Sequence, residues 1–314
     1  MFQIRTDLAM ETSEDRVKAK QELRGVSVEQ KRVGEDITLT TVKIETENGA
    51  KQMGKPKGTY ITIESDKMTE QDEDYHRDIS RELSRVLSCF LPKRKKNLRI
   101  LVVGLGNREV TPDALGPQVV DHLFITRHLL QEFGHYLIEF ENSCSVSGIV
   151  PGVMAQTGME SVEIMRGIVK ETNPNLVIAI DALAARNVKR LNRTIQVTDT
   201  GIIPGSGVGN HRSAINQNNL GVPVIAIGIP TVVDAATIVA DTFVSLVDIM
   251  EKSGQHRRVK EPFESLNEAE QEELVRELIS PKMNTMYVTP KDIDEEVKRL
   301  SFTISEGLNM TFME

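Results

Sequence analysis

Two aspartates stand where this chain otherwise avoids charge. VTPDALGP, residues 110–117, sets Asp113 just after a proline in a nearly uncharged segment, and AIDALAA, residues 179–185, sets Asp181 at the end of a purely apolar run. Both begin the tripeptide Asp-Ala-Leu. Two carboxylates in one desolvated cleft cannot both ionise cheaply, so one keeps its proton and the pair offers an acid and a base together. Such a pair can activate a water and protonate a leaving amine. An aspartate in either setting can also cap a helix N-terminus, worth about 1 kcal/mol, and the residues alone leave both readings open.

Other motifs compete for the chemistry. VVGLGNRE begins like a dinucleotide fingerprint with Gly104 and Gly106, but Glu109 stands where the third glycine belongs and would repel pyrophosphate. The glycine-rich stretch GIIPGSGVGNHR, residues 201–212, lacks the Gly-Lys-Ser/Thr of a phosphate loop. Its amides around Gly205, Gly207 and Gly209 could cradle a carboxylate or a peptide backbone, or the stretch is a plain connection. His211 is the natural third ligand if Asp113 and Asp181 hold a metal, although a lone histidine in a polar loop is more often solvated. There is no His-x-x-x-His, Cys-x-x-Cys or Gly-x-Ser-x-Gly, and Cys144 has no histidine near it in sequence. No cofactor is expected.

The elements that must position these residues follow from periodicity. From 98 to 250, short apolar runs (LRILVVGL, HYLIEF, LVIAI, VPVIAIGIP) alternate with helical patterns such as GPQVVDHLFITRHLLQEF and MESVEIMRGIVKET. Strands apolar on both faces, alternating with helices, predict an α/β fold with a mostly parallel sheet covered on both sides. Ligands of such sheets bind beyond the carboxyl ends of the strands, where both aspartates are expected. Before this core, residues 8–97 carry a predicted hairpin, DITLTTVKIET and KGTYITIES joined by the turn-rich ENGAKQMGKP. An amphipathic helix, DYHRDISRELSRVLSCFL, and the basic boundary PKRKKN follow. Residues 251–314 form a charged section with helices in NEAEQEELVRELIS and after Thr289-Pro290, a cap and first-turn pair.

Composition narrows the function classes. A chain of 314 residues, 39% hydrophobic, can bury a large core, and a net charge of −8 with pI near 5.5 argues against a dedicated nucleic-acid or anionic-membrane surface. No apolar run approaches the roughly 20 residues of a membrane span, and MFQIRTDLAM lacks a signal-peptide core, so a cytoplasmic location is expected. Two cysteines, Cys89 and Cys144, in apolar surroundings suit buried reduced thiols.

The chain resembles the germination protease family of spore-forming bacteria. The resemblance rests on RTDLAME at 5–11, GLGN at 104–107, TPDALGP at 111–117, AIDALAAR at 179–186, GSGVGN at 205–210 and GIPTVVDA at 228–235. It implies an atypical aspartic endopeptidase without the Asp-Thr/Ser-Gly motif, with Asp113 and Asp181 as the catalytic pair. It also implies a zymogen that removes its own N-terminal segment, here residues 1–7, by a cut between Asp7 and Leu8. The family's substrates are small acid-soluble spore proteins, cut after the first Glu of Thr-Glu-(Phe/Ile)-Ala-Ser-Glu during germination. Thr6-Asp7-Leu8-Ala9-Met10-Glu11 departs from that site by Asp for Glu, Leu for Phe/Ile and Met for Ser. Arg186 is a candidate partner for the acid before the cut. The resemblance further implies a homotetramer in the forespore and spore core, with no direct contact to nucleic acid or membrane. The fold is expected to be phosphorylase/hydrolase-like, similar to the hydrogenase maturation endopeptidases, whose equivalent carboxylates bind nickel. A metal-dependent endopeptidase using Asp113, Asp181 and His211 is therefore the alternative, and a non-catalytic ligand-binding protein on the same scaffold is a further one.

Overall fold

The computed structural model describes residues 6–18, 23–92, 98–134, 144–209, 212–239, 242 and 286–313. In the N-terminal section the elements are α1 Ala9–Lys18, β1 Val26–Val33, β2 Ile37–Ile44, α2 Glu47–Met53, β3 Gly58–Glu64 and α3 Glu73–Phe90. Next come β4 Arg99–Gly104, α4 Leu115–Asp121, α5 Arg127–Phe133, β5 Ser145–Ile149, α6 Met154–Thr157, α7 Ser161–Thr172 and β6 Leu176–Ala185. The last are β7 Thr194–Thr198, α8 Gln217–Leu220, β8 Val224–Asp234, β9 Tyr287–Val288 and α9 Ile293–Met313.

All the strands join one sheet in the order β1-β2-β3-β7-β8-β6-β4-β5, with β9 on β8. The expected parallel arrangement holds where β5, β4, β6 and β8 meet. It fails elsewhere, since β1 through β3, β7 and β9 all pair antiparallel. The reason is β7, which takes up β3 on one side and β8 on the other and so carries the N-terminal hairpin into the same sheet.

The strands at the centre are built from Val, Ile and Ala, whose branched or small side chains fill a pleated surface buried on both faces. On β6, Ile178 and Ile180 face α3, α4 and α9, whereas Val177, Ala179 and Leu183 face the other way. That other face is covered by α7 and, toward β2 and β3, by α1. Helix α3 starts at an Asp72 cap that accepts the Tyr75 N–H at 3.1 Å, and buries Ile79, Leu83, Val86 and Leu87 at helical spacing. Helix α9 lies against it, closely enough that Gly307 abuts the Ser80 carbonyl.

Several expectations are corrected. The β2–β3 hairpin forms, but its connection holds α2, started by Thr46, which accepts the Gly49 N–H, and stopped by Gly54 at φ 62°. Strand β1 lies outside the expected hairpin. The pattern at 116–133 breaks into α4 and α5 because Thr126 bonds to β5 and its approach, giving its hydroxyl to the Cys144 carbonyl (2.6 Å) and accepting the Val146 N–H (2.9 Å). Helix α9 begins at Ile293 rather than at Thr289, whose hydroxyl is spent on the Thr231 carbonyl (2.9 Å). Cys89 is exposed, against expectation, while Cys144 is buried. The segments HYLIEF, PKRKKN and NEAEQEELVRELIS lie wholly or almost wholly outside the described residues.

Candidate functional site

Asp113 is delivered by a tight return of the chain after β4. The Leu105 N–H makes the last tie to β6, at the Ile180 carbonyl (2.8 Å), and the chain then folds back flat over the end of that strand. Three glycines permit this. A Cβ on Gly104 would stand 2.3 Å from the Gly116 carbonyl oxygen, and one on Gly116 would stand 2.5 Å from that of Ile180. Gly106, at φ 109°, would put a Cβ 1.9 Å from the Asp113 carbonyl oxygen. The apparent dinucleotide fingerprint is therefore a packing device. A short 3-10 turn, Thr111–Asp113, then fixes the acid, with the Thr231 hydroxyl on the Pro112 carbonyl (2.7 Å) and the Asn107 N–H on Asp113 Oδ2 (2.7 Å).

Asp181 lies within β6 rather than at its end, in register with Gly228 of β8, so it caps no helix. It is 4% exposed, and the one described hydrogen bond to its carboxyl comes from the adjacent Ala182 N–H, to Oδ1 at 3.0 Å. Burial pushes its carboxyl well above the ordinary range, and the charges of Asp113 and Asp7 push it further. Burial also raises Asp113, against the Asn107 N–H and the Arg212 guanidinium. The two carboxyls expected to work together thus share one electrostatic site, with Arg212 the cation that both feel.

The N-terminal segment occupies the same end of β6. Strand β4 accompanies β6 only as far as Ile180, and beyond that point the vacant side takes the main chain of Asp7. The Asp7 N–H donates to the Ala184 carbonyl (3.0 Å), and the Ala184 N–H donates back to Asp7 Oδ2 (2.9 Å). The Ser206 hydroxyl donates to Asp7 Oδ1 (2.6 Å). Gly207 lies beneath, where a Cβ would be 2.2 Å from Asp7 Oδ2. Gly205 and Gly209 bracket this turn at φ 69° and 78°. The Asp7 carbonyl accepts from Lys55 Nζ (3.0 Å) and Gln196 Nε2 (3.0 Å).

Leu8, Ala9 and Met10 are buried, and Glu11 is held tightly. Its carboxylate accepts the N–H groups of Arg186 (2.8 Å) and Asn187 (3.0 Å), the Arg190 guanidinium (3.2 Å) and the Thr6 hydroxyl. Arg190 also pairs with Glu14 and Glu64. Burial lowers the Lys55 ammonium, against the charges of Asp7 and Glu11.

The structure thus brings Asp113, Asp181, Asp7 and the glycine loop together at one end of β6, with the Arg186 main chain on Glu11. His211 lies outside the described residues, and among those described no cluster of three His, Cys, Asp or Glu is disposed to hold a metal ion. Sequence reasoning missed Lys55, Gln196, Ser206, Arg190 and Arg212. Only Ser206 and Arg212, inside the glycine-rich stretch, carried any signal.

A family model described as germination protease matches residues 4–264. The chain is similar to the germination protease of Caldanaerobacter subterraneus subsp. tengcongensis, 46% identical over 310 residues that span 98% of this chain and 93% of the relative. It is 43% identical to that of Clostridium perfringens over 316 residues (99% and 95% of the two chains). The germination protease of Bacillus cereus is 39% identical over 344 aligned residues (98% and 93%).

Proposed function

The chain belongs to the germination protease family, and on that premise we propose that this endopeptidase hydrolyses peptide bonds with Asp113 and Asp181 as a paired acid and base. One observation carries the reading: Asp181 is buried with a single described hydrogen bond to its carboxyl, and burial and the neighbouring Asp113 both favour its protonated form. Burial raises the Asp113 carboxyl too, but Asp113 is only half-buried, and the Asn107 N–H and the Arg212 guanidinium oppose that rise, which makes it the more readily ionised of the pair. Asp113 takes a proton from water as the oxygen adds to the scissile carbonyl carbon. Asp181 gives its proton to the leaving nitrogen as the carbon–nitrogen bond breaks. The proton on Asp113 then passes to Asp181, and the pair is restored.

Substrates are small acid-soluble spore proteins, cut after Glu in Thr-Glu-(Phe/Ile)-Ala-Ser-Glu, and the protein is a self-processing zymogen cut between Asp7 and Leu8. The docking of Thr6 to Glu11 along the cleft supports this, because it sets an acid beside the carboxyl pair and a second acid four residues on. Ala184, Ser206 and Gly207 hold the acid before the cut, with Gly205 and Gly209 shaping their turn, and Arg186 serves the second acid through its N–H. A homotetramer in the spore core completes the proposal.

The test is mass spectrometry of a small acid-soluble spore protein incubated with wild type, Asp113→Asn and Asp181→Asn, with and without chelator. A single cut after Glu that either substitution abolishes and chelator leaves unchanged is the expected result. Loss of cleavage with chelator makes the carboxylates metal ligands, and an intact substrate with wild type overturns the reading.

A further inference from the structure

The carbonyl oxygen of Asp7 is gripped from two sides by side chains on unrelated elements. Lys55 follows Gly54, the left-handed residue that stops α2, and its own N–H returns to the Ala50 carbonyl (3.2 Å), so the end of the helix aims the ammonium. Gln196 sits in β7, 6% exposed, and its amide is oriented because Oε1 accepts the Ala9 N–H (2.8 Å), leaving Nε2 for the Asp7 carbonyl. Both donors stand 3.0 Å from that oxygen.

The sheet register adds an independent observation. Gly228 of β8 is in register with Asp181 of β6 on one side and with Gln196 of β7 on the other. Residues in one row of a sheet point to one face, and strands lie about 4.8 Å apart, so Asp181 and Gln196 look at each other across roughly 10 Å. Gly228 between them has no side chain, and the space over it is taken by Leu183, whose Cγ would stand 2.5 Å from a Cβ placed there. The docked main chain of Asp7 therefore has β6, which carries Asp181, on one flank and the amide of Gln196 from β7 on the other.

Resting on the proposed cut between Asp7 and Leu8, we propose that Lys55 and Gln196 are further catalytic residues, which hold the oxygen of the scissile carbonyl and take up the charge that develops on it. When water adds to the carbonyl carbon, its double bond to oxygen becomes single and the oxygen turns anionic. Two donors already in place answer that charge without reorganising. No proton leaves Lys55 or Gln196, so the acid–base cycle of the carboxyl pair is unchanged. The same oxygen in a docked but uncut chain is a neutral acceptor, so the grip tightens on passing from bound peptide to tetrahedral state.

The experiment measures kcat and KM of the processed protein, lacking residues 1–7, on a peptide of residues 5–13, Arg-Thr-Asp-Leu-Ala-Met-Glu-Thr-Ser, for wild type, Lys55→Met, Gln196→Met and Lys55→Arg. Each methionine variant is expected to lose about 10²–10³-fold in kcat with little change in KM, the cost of removing one such donor. Lys55→Arg, which keeps a donor, recovers part of the loss. A raised KM at wild-type kcat, or no change in either constant, overturns the assignment and leaves Lys55 and Gln196 as anchors of the N-terminal segment. A second measurement separates chemistry from folding. A peptide aldehyde ending at the Asp position, whose hydrate mimics the tetrahedral state, binds wild type more tightly than the matching amide, and both methionine variants lose that preference while still binding the amide. Retention of the preference in the variants overturns the assignment. Wild-type protein that leaves the peptide whole overturns the cut between Asp7 and Leu8, and the clamp with it.

Discussion

Glu11 and Asp181 are buried to nearly the same degree, 2% and 4% exposed, yet they meet opposite surroundings. Glu11 collects two main-chain N–H groups, a hydroxyl and the Arg190 guanidinium. Asp181 receives the N–H of its own neighbour and faces the like charges of Asp113 and Asp7. Burial alone therefore does not decide whether an acid is an anchor or a reagent. The supply of donors separates them: Glu11 is fixed in place by several, whereas the Asp181 carboxyl, with one, is pushed toward its protonated form by burial and by Asp113 and Asp7.

The comparison breaks hardest at the reagent end. Asp181→Asn and Asp113→Asn, nearly isosteric, are each expected to lower kcat on the residue 5–13 peptide by about 10²–10⁴-fold, the scale of a lost general acid or base. Initial rates check this, and activity above a tenth of wild type would return both acids to structural roles. At the anchor end, Arg190→Met leaves Glu11 without its cation and also deprives Glu14 and Glu64. Breaking a buried pair from one side costs about 3–5 kcal/mol, read as a lowered urea midpoint. Gly207→Ala should cost about 1–3 kcal/mol by overpacking against Asp7. Faster hydrogen exchange at the Asp7 and Ala184 amides would report it.

The smallest effect sharpens the contrast through pH. The folded protein raises the Asp181 carboxyl, so between the ordinary carboxyl range and that raised value the folded state binds a proton that the unfolded state has released. Stability from this group is highest at low pH and falls as pH rises through that window. Asp181→Asn should remove the fall, giving a melting temperature at or above wild type near neutrality and convergence in acid. An Asn variant that melts lower at every pH would show Asp181 to be an anchor like Glu11.

The burial of Asp181 was legible in the sequence, because a strand of Val, Ile and Ala announces it, whereas the residues alone left a helix cap open for both acids until β6 ran through Asp181. The anchor end was not legible, because Lys55, Gln196 and Arg190 act through partners far away in sequence and sit in stretches of ordinary polarity. The same limit applies to the fold. Central strands β4, β6 and β8 showed as apolar runs, whereas β1, VSVEQKRV, exposes most of its side chains at the sheet edge and leaves no periodic trace. The antiparallel half escaped because pairing of β3 with β7 joins residues 130 to 138 positions apart, a distance over which no local pattern carries information.

The vacant side of β6 beyond Ile180 has a consequence for which proteins can enter. It is met by main chain, through the N–H of Asp7 on the Ala184 carbonyl. A segment locked in a helix or a folded strand has that N–H already committed, and releasing each such bond costs about 0.5–1.5 kcal/mol net, on top of the cooperative cost of unfolding around it. A chain without fixed structure arrives with its amides free of internal partners. On the proposed docking, this edge of β6 sorts substrates by their conformational state ahead of any reading of side chains.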